Sequence, residues 1–185
     1  MSLTRILMFS IAATGIAFAS WPALTASNAL SGKSVVVSWS EERVQRLEGE
    51  SQFSSVMRTG SFSAYISTQG RIFNRSTMTN PGARRGRGVT GSAERVGNEG
   101  NAKVSFQGNA LVAVLLHEHG AMRILVTFDS GFTGCTAEVI RGKEAGANSM
   151  RANSLIRPGT RVEIQSVKTS GVTCSVRDGN VFAGG

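Results

Sequence analysis

The sequence predicts an all-β protein: a single antiparallel β-sandwich or barrel of about eight to ten strands. Two observations predict it. After position 30, apolar and polar residues alternate along most of the chain, which is the period of a half-buried strand. Glycine-containing turns separate these runs at intervals of about ten residues, a spacing typical of sandwiches and barrels. At 185 residues, one domain is the expected number.

The alternating runs follow one another from the first third of the chain to its end. Residues 110–116 are almost continuously apolar, as expected of a strand covered on both faces. Residues 41–47 also fit one helical turn, but we favour a continuation of the preceding strand. The predicted strands are residues 34–40, 62–66, 71–79, 110–116, 124–128, 135–139, 162–164 and 172–176.

Residues 1–29 have the features of a secretory signal peptide. Arg5 supplies a positive charge, an apolar stretch follows, and small residues precede two possible cleavage sites, after Ala19 and after Ala29. We favour cleavage after Ala29, which leaves residues 30–185 as the β-rich domain. The alternative is an uncleaved membrane anchor, which would need about 20 apolar residues. The sequence therefore predicts a periplasmic or secreted protein with no transmembrane span after cleavage.

The chain has two cysteines, Cys135 and Cys174. Each lies in an alternating run on its apolar side, and export exposes both to an oxidising compartment, so we predict a structural disulfide. The bond would close a loop of about 40 residues, worth roughly 4 kcal/mol in the chain-entropy model. No cysteine would then remain as a nucleophile.

A glycine- and arginine-rich segment, residues 80–101, interrupts the alternation and is predicted to be a long mobile loop. Of the 20 basic residues in this chain of net charge +8, 16 are arginines, whose guanidinium groups make forked contacts with phosphate, sulfate and carboxylate. The predicted partners are polyanions: acidic polysaccharide, lipid headgroups or the nucleic acid backbone. The alternative is a solubilising loop without a ligand. The anion-binding residues of the loop would be Arg84, Arg85, Arg87 and Arg95.

Both histidines of the chain, His117 and His119, lie two residues apart, which places them on one face if they are in a strand. With a distant carboxylate, Asp129 or Glu138, they form a candidate zinc or copper site. A polar hairpin tip around Glu118 is the interpretation we favour. The sequence indicates no catalytic residue and no cofactor.

The most favoured function is therefore an exported, non-enzymatic β-domain that binds anionic envelope or extracellular polymers through its basic loop. One alternative is a metal-dependent enzyme that uses His117 and His119. Another is a barrel that carries a small apolar ligand between residues 111–116 and 124–128. Asn74-Arg75-Ser76 is in addition a sequon for N-glycosylation, relevant only in a eukaryotic secretory pathway.

Two runs, residues 31–40 and 175–182, resemble those of an uncharacterised family of small exported proteins from soil-dwelling bacteria, which carry one cysteine pair. The resemblance covers most of the predicted mature chain. It implies a bacterial periplasmic or secreted protein and supplies no catalytic residue.

Overall fold

The computed structural model describes residues 26–79, 89–91, 95–96, 102–117, 120–141 and 162–183. These residues form one four-residue helix and ten strands, which confirms the all-β fold. In chain order the elements are α1 (Ala26–Ala29), β1 (Lys33–Leu47), β2 (Ser54–Ile66), β3 (Ile72–Thr79), β4 (Val89–Gly91), β5 (Arg95–Val96), β6 (Ala102–Gln107), β7 (Ala110–His117), β8 (Gly120–Phe128), β9 (Cys135–Arg141) and β10 (Val162–Asp178).

The strands form two antiparallel sheets that share one core. The first sheet has the order β10-β1-β2-β3-β4, and β5 also pairs with β3. The second sheet has the order β6-β7-β8-β9. The inner faces of both sheets contribute to a single hydrophobic cluster, so the molecule is a β-sandwich.

Alternation along each strand builds this core, as predicted. On β1, Val35 and Val37 are fully buried and Trp39 is 3% exposed. In the second sheet, Leu111 on β7 and Ile124 on β8 are fully buried in the same cluster. These are the two strands that the sequence suggested as the lining of a cavity for an apolar ligand. Each large apolar side chain buried in this way stabilises the fold by about 1.5–3 kcal/mol.

Strand β1 continues through residues 41–47, which confirms the strand over the helical turn. The same alternation that buries Trp39 also directs Glu41 and Arg43 inward. Past Trp39, the inner face of β1 therefore changes from apolar to charged.

A disulfide joins Cys135 on β9 to Cys174 on β10, with the two Cα atoms 5.6 Å apart, as predicted. Further along the same two strands, the Thr169 hydroxyl of β10 donates a hydrogen bond of 3.0 Å to the Val139 carbonyl of β9. These contacts fasten the edge of the second sheet to the edge of the first.

The sequence did not predict three features of the sheets. Strand β6 was missed, and β10 is one strand of 17 residues where two short runs were predicted. Within residues 80–101, predicted as a loop, β4 and β5 pair with β3, and the remainder of that segment lies outside the described residues.

Residues 31–40 and 175–182 lie side by side. Lys33 pairs with Asp178, and the fully buried Ser34 donates a hydrogen bond of 2.7 Å to the Gly179 carbonyl. The Ser34 hydroxyl also accepts a bond of 3.1 Å from the Val181 amide. This serine therefore holds the C-terminal end of β10 against the start of β1.

The short helix α1 precedes β1. Ala26 is 2% exposed and Leu30 is fully buried, and the Leu30 amide donates a hydrogen bond of 3.1 Å to the Ala26 carbonyl. The predicted cleavage after Ala29 would remove Ala26 from these contacts, whereas cleavage after Ala19 would keep it. Within the described part of the chain, no helix is long and apolar enough to cross a membrane.

Candidate anion-binding site

Four charged residues meet between the sheets, beyond the apolar part of the core. Glu41 and Arg43 come from the inner face of β1, and Arg58 lies opposite Glu41 on β2. Arg141, the last residue of β9, reaches Glu41 from the second sheet. We call Glu41, Arg43, Arg58 and Arg141 the arginine cluster.

The cluster is buried. Glu41 is fully buried and Arg43 is 3% exposed. The Arg141 side chain is 7% exposed, and its Nε lies 3.1 Å from Glu41 Oε2 in an ion pair. Arg58 is half-buried.

The pKa values of the arginines show that their charges are poorly compensated. Burial is the largest cause of the lowered pKa of Arg43, which falls to about 10, and repulsion from Arg58 adds more to this lowering than the attraction of Glu41 offsets. Burial also lowers the pKa of Arg141, and here Glu41 offsets part of the effect while Arg58 adds to it. Since three guanidinium groups meet one carboxylate, the cluster carries a net charge of +2.

Several polar atoms of the cluster are buried without a well-aligned hydrogen-bond partner in the described part of the chain. They include both oxygens of Glu41, Nε and Nη1 of Arg43, Nε of Arg58 and Nη1 of Arg141, and the neighbouring Trp39 Nε1. Buried polar groups are nearly always hydrogen-bonded, because an unpaired one costs about 1–3 kcal/mol. The arrangement therefore offers donors, with excess positive charge, to a group that supplies acceptor oxygens and negative charge.

An oxyanion supplies both. Phosphate, sulfate and carboxylate accept two parallel N–H bonds from one guanidinium group, and such charge-assisted bonds are about twice as strong as neutral ones. Burial strengthens these interactions further because the local dielectric constant is low. Within the cluster, Arg43 and Arg58 hold the unpaired donors on the first sheet, and Arg141 faces them from the second.

The loop arginines predicted from the sequence do not form part of the described site. Arg84, Arg85 and Arg87 lie outside the described residues. Arg95 lies in β5, where its backbone pairs with Asn74. Anion binding by these four residues stays a prediction.

The histidine site is also only partly within the described residues. His117 pairs with Gly120 at the end of the β7–β8 hairpin, as expected of a hairpin tip, but its side chain and all of His119 lie outside what the structure describes. Asp129 follows the far end of β8, about 30 Å from Gly120 at the usual strand rise. Among the described residues, no three His, Cys, Asp or Glu side chains could hold a metal ion.

Asp129 instead organises its own turn. Its carboxylate accepts hydrogen bonds from the Thr133 amide at 2.9 Å and the Gly134 amide at 2.7 Å. The Thr133 amide is the main cause of the lowered pKa of Asp129. The other proposed carboxylate, Glu138, is exposed on β9.

The sequon is inaccessible in the folded chain. Asn74 is 1% exposed and Ser76 is 4% exposed, both on β3. A glycan on Asn74 would have no room between the sheets.

No family model, curated protein or solved structure matches this chain. The site is therefore interpreted from its own geometry. A sequence signal for it exists: the alternation that gives Val37 and Trp39 continues to Glu41 and Arg43, and on β9 the alternation through Val139 continues to Arg141. Charged residues at consecutive core-facing positions indicate a buried polar site.

Proposed function

We propose that this protein is an exported, non-enzymatic β-sandwich that binds an oxyanion in the arginine cluster. The main support for this proposal is that positive charges outnumber negative charges in the buried arginine cluster. The cluster holds three guanidinium groups and one carboxylate, and several buried donors of its arginines have no aligned partner among the described residues.

A purely structural salt-bridge network explains the cluster less well. The free energy lost by removing a buried ion pair from water is about as large as the free energy gained from its attraction. A network that serves only the stability of the fold should therefore contain equal numbers of positive and negative groups. Here the lowered pKa values of Arg43 and Arg141 mark a cost that an additional negative group would remove. A protein that retains a destabilising excess of buried positive charge at one position is expected to use that charge to bind a ligand.

Because the cluster is buried, only a small ligand group could reach it. Glu41 and Arg43 are almost inaccessible, so a compact group fits better than a continuous charged backbone. Phosphate monoesters, sulfate groups and terminal carboxylates are compact oxyanions with two or more acceptor oxygens. The anionic polymers predicted as partners would bind through such a terminal or pendant group.

Export is supported by the disulfide and by the sequence features of residues 1–29. Disulfides persist in oxidising compartments and are rare in the cytosol. The Cys135–Cys174 bond agrees with a periplasmic or secreted location.

The proposal is tested by titrating the disulfide-bonded protein with phosphate, sulfate and acetate by isothermal calorimetry, with chloride holding the ionic strength constant. We expect saturable binding of at least one oxyanion, weakened at least tenfold in Arg43→Met and in Arg58→Met. The control is Arg177→Met, which removes an exposed arginine on β10 and should bind as the wild type does. Absence of saturable binding, or equal binding by all four proteins, would contradict the proposal.

A further inference from the structure

The outer face of the first sheet carries a trough lined by hydroxyl groups. Its volume is about 340 Å³, and four neighbouring strands contribute to it. The backbones of Trp39, Gly60 and Gly171 complete the lining. The hydroxyl-bearing residues of the trough are Ser38, Ser40, Thr59, Ser61, Thr77 and Thr79.

The shape of the trough follows from a β-bulge. Ser38 pairs with Thr173 and Ser40 pairs with Ser170, so one residue of β1 faces two residues of β10. Gly171 occupies the bulge with φ +59°, a left-handed conformation that glycine adopts without strain. Bulges bend a strand and often occur beside binding sites. Gly171 and Gly60 also have no side chain to fill the space between the rows of hydroxyls.

Strand propensity does not account for the serines of this face. Strands favour β-branched and aromatic residues, and serine is not among them. Ser38, Ser40 and Ser61 nevertheless occupy successive outward positions on the two central strands, β1 and β2. A requirement for small hydroxyl groups at these positions explains the choice.

The side chains that line the trough are uncharged, and their hydroxyl groups can both donate and accept hydrogen bonds. Each hydroxyl donates one hydrogen bond and accepts up to two. The hydroxyl oxygens of Ser61 and Thr77 are 2.6 Å apart and share one hydrogen bond. Each hydroxyl keeps further capacity to donate or accept a hydrogen bond with a ligand. No charged side chain lines the trough among the described residues.

An aromatic pair lies on the same outer face, further along β2 and β3. The ring centroids of Tyr65 and Phe73 are 6.3 Å apart, and both side chains are half-buried. Tyr65 follows Ser61 by four residues, about 14 Å at the usual strand rise. Arg75, which lies between the trough and this pair, places its guanidinium over the Phe182 ring at 5.1 Å.

We infer that this outer face is a binding site for a neutral polysaccharide, which is a function separate from the arginine cluster. Sugar hydroxyls both donate and accept hydrogen bonds, as the Ser and Thr hydroxyls of the trough do. The hydroxyl rows repeat about every 4.8 Å across the strands and about every 7 Å along them, which suits a chain that presents hydroxyls at regular intervals. Half-buried Tyr65 offers an apolar ring surface to the C–H face of a sugar ring, while the neighbouring Phe73 ring has the Arg71 guanidinium 5.7 Å from its centroid.

The test is native electrophoresis, at reversed polarity because the protein is basic, in gels containing one neutral polysaccharide: starch, dextran, galactomannan, xylan or hydroxyethylcellulose. We expect at least one polysaccharide to retard the wild type. Thr59→Val/Thr77→Val keeps the side-chain shape and strand propensity while removing two hydroxyls, and it should raise the dissociation constant at least tenfold. Tyr65→Ala should weaken binding as well.

Two controls separate this site from other causes. Thr136→Val removes an exposed threonine on β9 and should leave the retardation unchanged. Arg43→Met should also leave it unchanged, which distinguishes this site from the arginine cluster. Thermal unfolding of each variant identifies any loss of fold, and Ser61→Ala then replaces a variant that does not fold. No retardation by any of the five polysaccharides, or equal retardation of the wild type and the hydroxyl variants, would overturn the inference.

Discussion

Glu41 and Arg141 join the two sheets through an ion pair in which Arg141 Nε lies 3.1 Å from Glu41 Oε2. Arg141 follows Cys135 by six residues on β9, and Cys135 is bonded to Cys174 in the first sheet. Strand β9 is therefore fastened to the first sheet at both ends, by a covalent bond at one end and by opposite charges at the other. This arrangement holds the Arg141 guanidinium opposite Arg43 and Arg58.

Replacing the only carboxylate of the cluster should have opposite effects on stability and on ligand binding. In Glu41→Gln, the three guanidinium groups of the cluster lose their counter-charge, and removing one partner of the buried Glu41–Arg141 pair costs about 3–5 kcal/mol. The same change raises the net charge of the cluster from +2 to +3 and should tighten oxyanion binding. Urea denaturation with and without phosphate measures both effects. A variant that unfolds as the wild type does, or that phosphate stabilises less than the wild type, would count against this account.

Removing an uncompensated buried charge should stabilise the ligand-free protein. In the folded state the pKa of Arg43 falls well below its ordinary value, to about 10, mainly because the guanidinium is buried, and this destabilises the fold by on the order of 1–3 kcal/mol. Below pH 10 both the folded and the unfolded chain keep the proton, and this cost is present in full. It is relieved only as the pH rises through the folded pKa. Arg43→Met should therefore raise the free energy of unfolding by a constant amount between about pH 6 and pH 9.

The measurement is urea denaturation across that pH range in a buffer without oxyanions. Exposed Arg177→Met is the control and should change stability by less than about 0.5 kcal/mol. If Arg43→Met is less stable than the wild type in the absence of ligand, the cluster serves the stability of the fold.

Gly60 is required because the indole of Trp39 occupies the place of its side chain. A Cβ atom added at Gly60 would lie 2.2 Å from Trp39 Cε2, far inside van der Waals contact. Gly60→Ala should lower the free energy of unfolding by about 1–3 kcal/mol or more. Gly131→Ala is the matched control, since its Cβ would have only ordinary contacts, the nearest at 3.7 Å. Thermal denaturation of the two variants compares them, and equal midpoints would show that Trp39 moves away at little cost.

Reduction of the disulfide should weaken both the fold and the site. The bond spans 39 residues, and the chain-entropy model gives roughly 4 kcal/mol for a loop of this size. Cys135→Ser/Cys174→Ser should lose most of that free energy of unfolding. Because β9 also carries Arg141, the variant should bind oxyanions less tightly. Urea denaturation and calorimetry measure the two effects, and a variant with unchanged stability would contradict the structural role of the bond.

The sequence predicted the fold because the alternation of apolar and polar residues along a strand can be recognised from a short stretch of chain. Alternation identified the apolar residues of β1, β2, β7 and β8, and the position of the two cysteines on that alternation identified the disulfide. Strand β6 was missed because it pairs with β7 through a short stretch, residues 102–107, with only two large apolar residues, Val104 and Phe106. The length of β10 was missed because a bulge at Gly171 breaks its alternation.

The sequence predicted anion binding by arginines, which stays a prediction, but it did not predict the arginine cluster. The arginine-rich composition indicated an oxyanion ligand, and the arginines closest together in sequence are those of the loop. The cluster combines Arg43, Arg58 and Arg141, which are separated by up to 98 positions and meet only because β1 pairs with β2 and faces β9. Contacts between separate sheets depend on how the sheets pack, which no local pattern encodes.

Anomalous diffraction shows whether the arginine cluster holds an oxyanion. Crystals of the disulfide-bonded protein are soaked in selenate, and selenium is located by its anomalous signal. We expect a selenium peak between Arg43 and Arg58, with the selenate oxygens about 3 Å from their guanidinium nitrogens, and no peak in the same soak of Arg43→Met. A cluster whose donors are all paired with groups of the chain itself, with no selenium between them, would contradict this expectation.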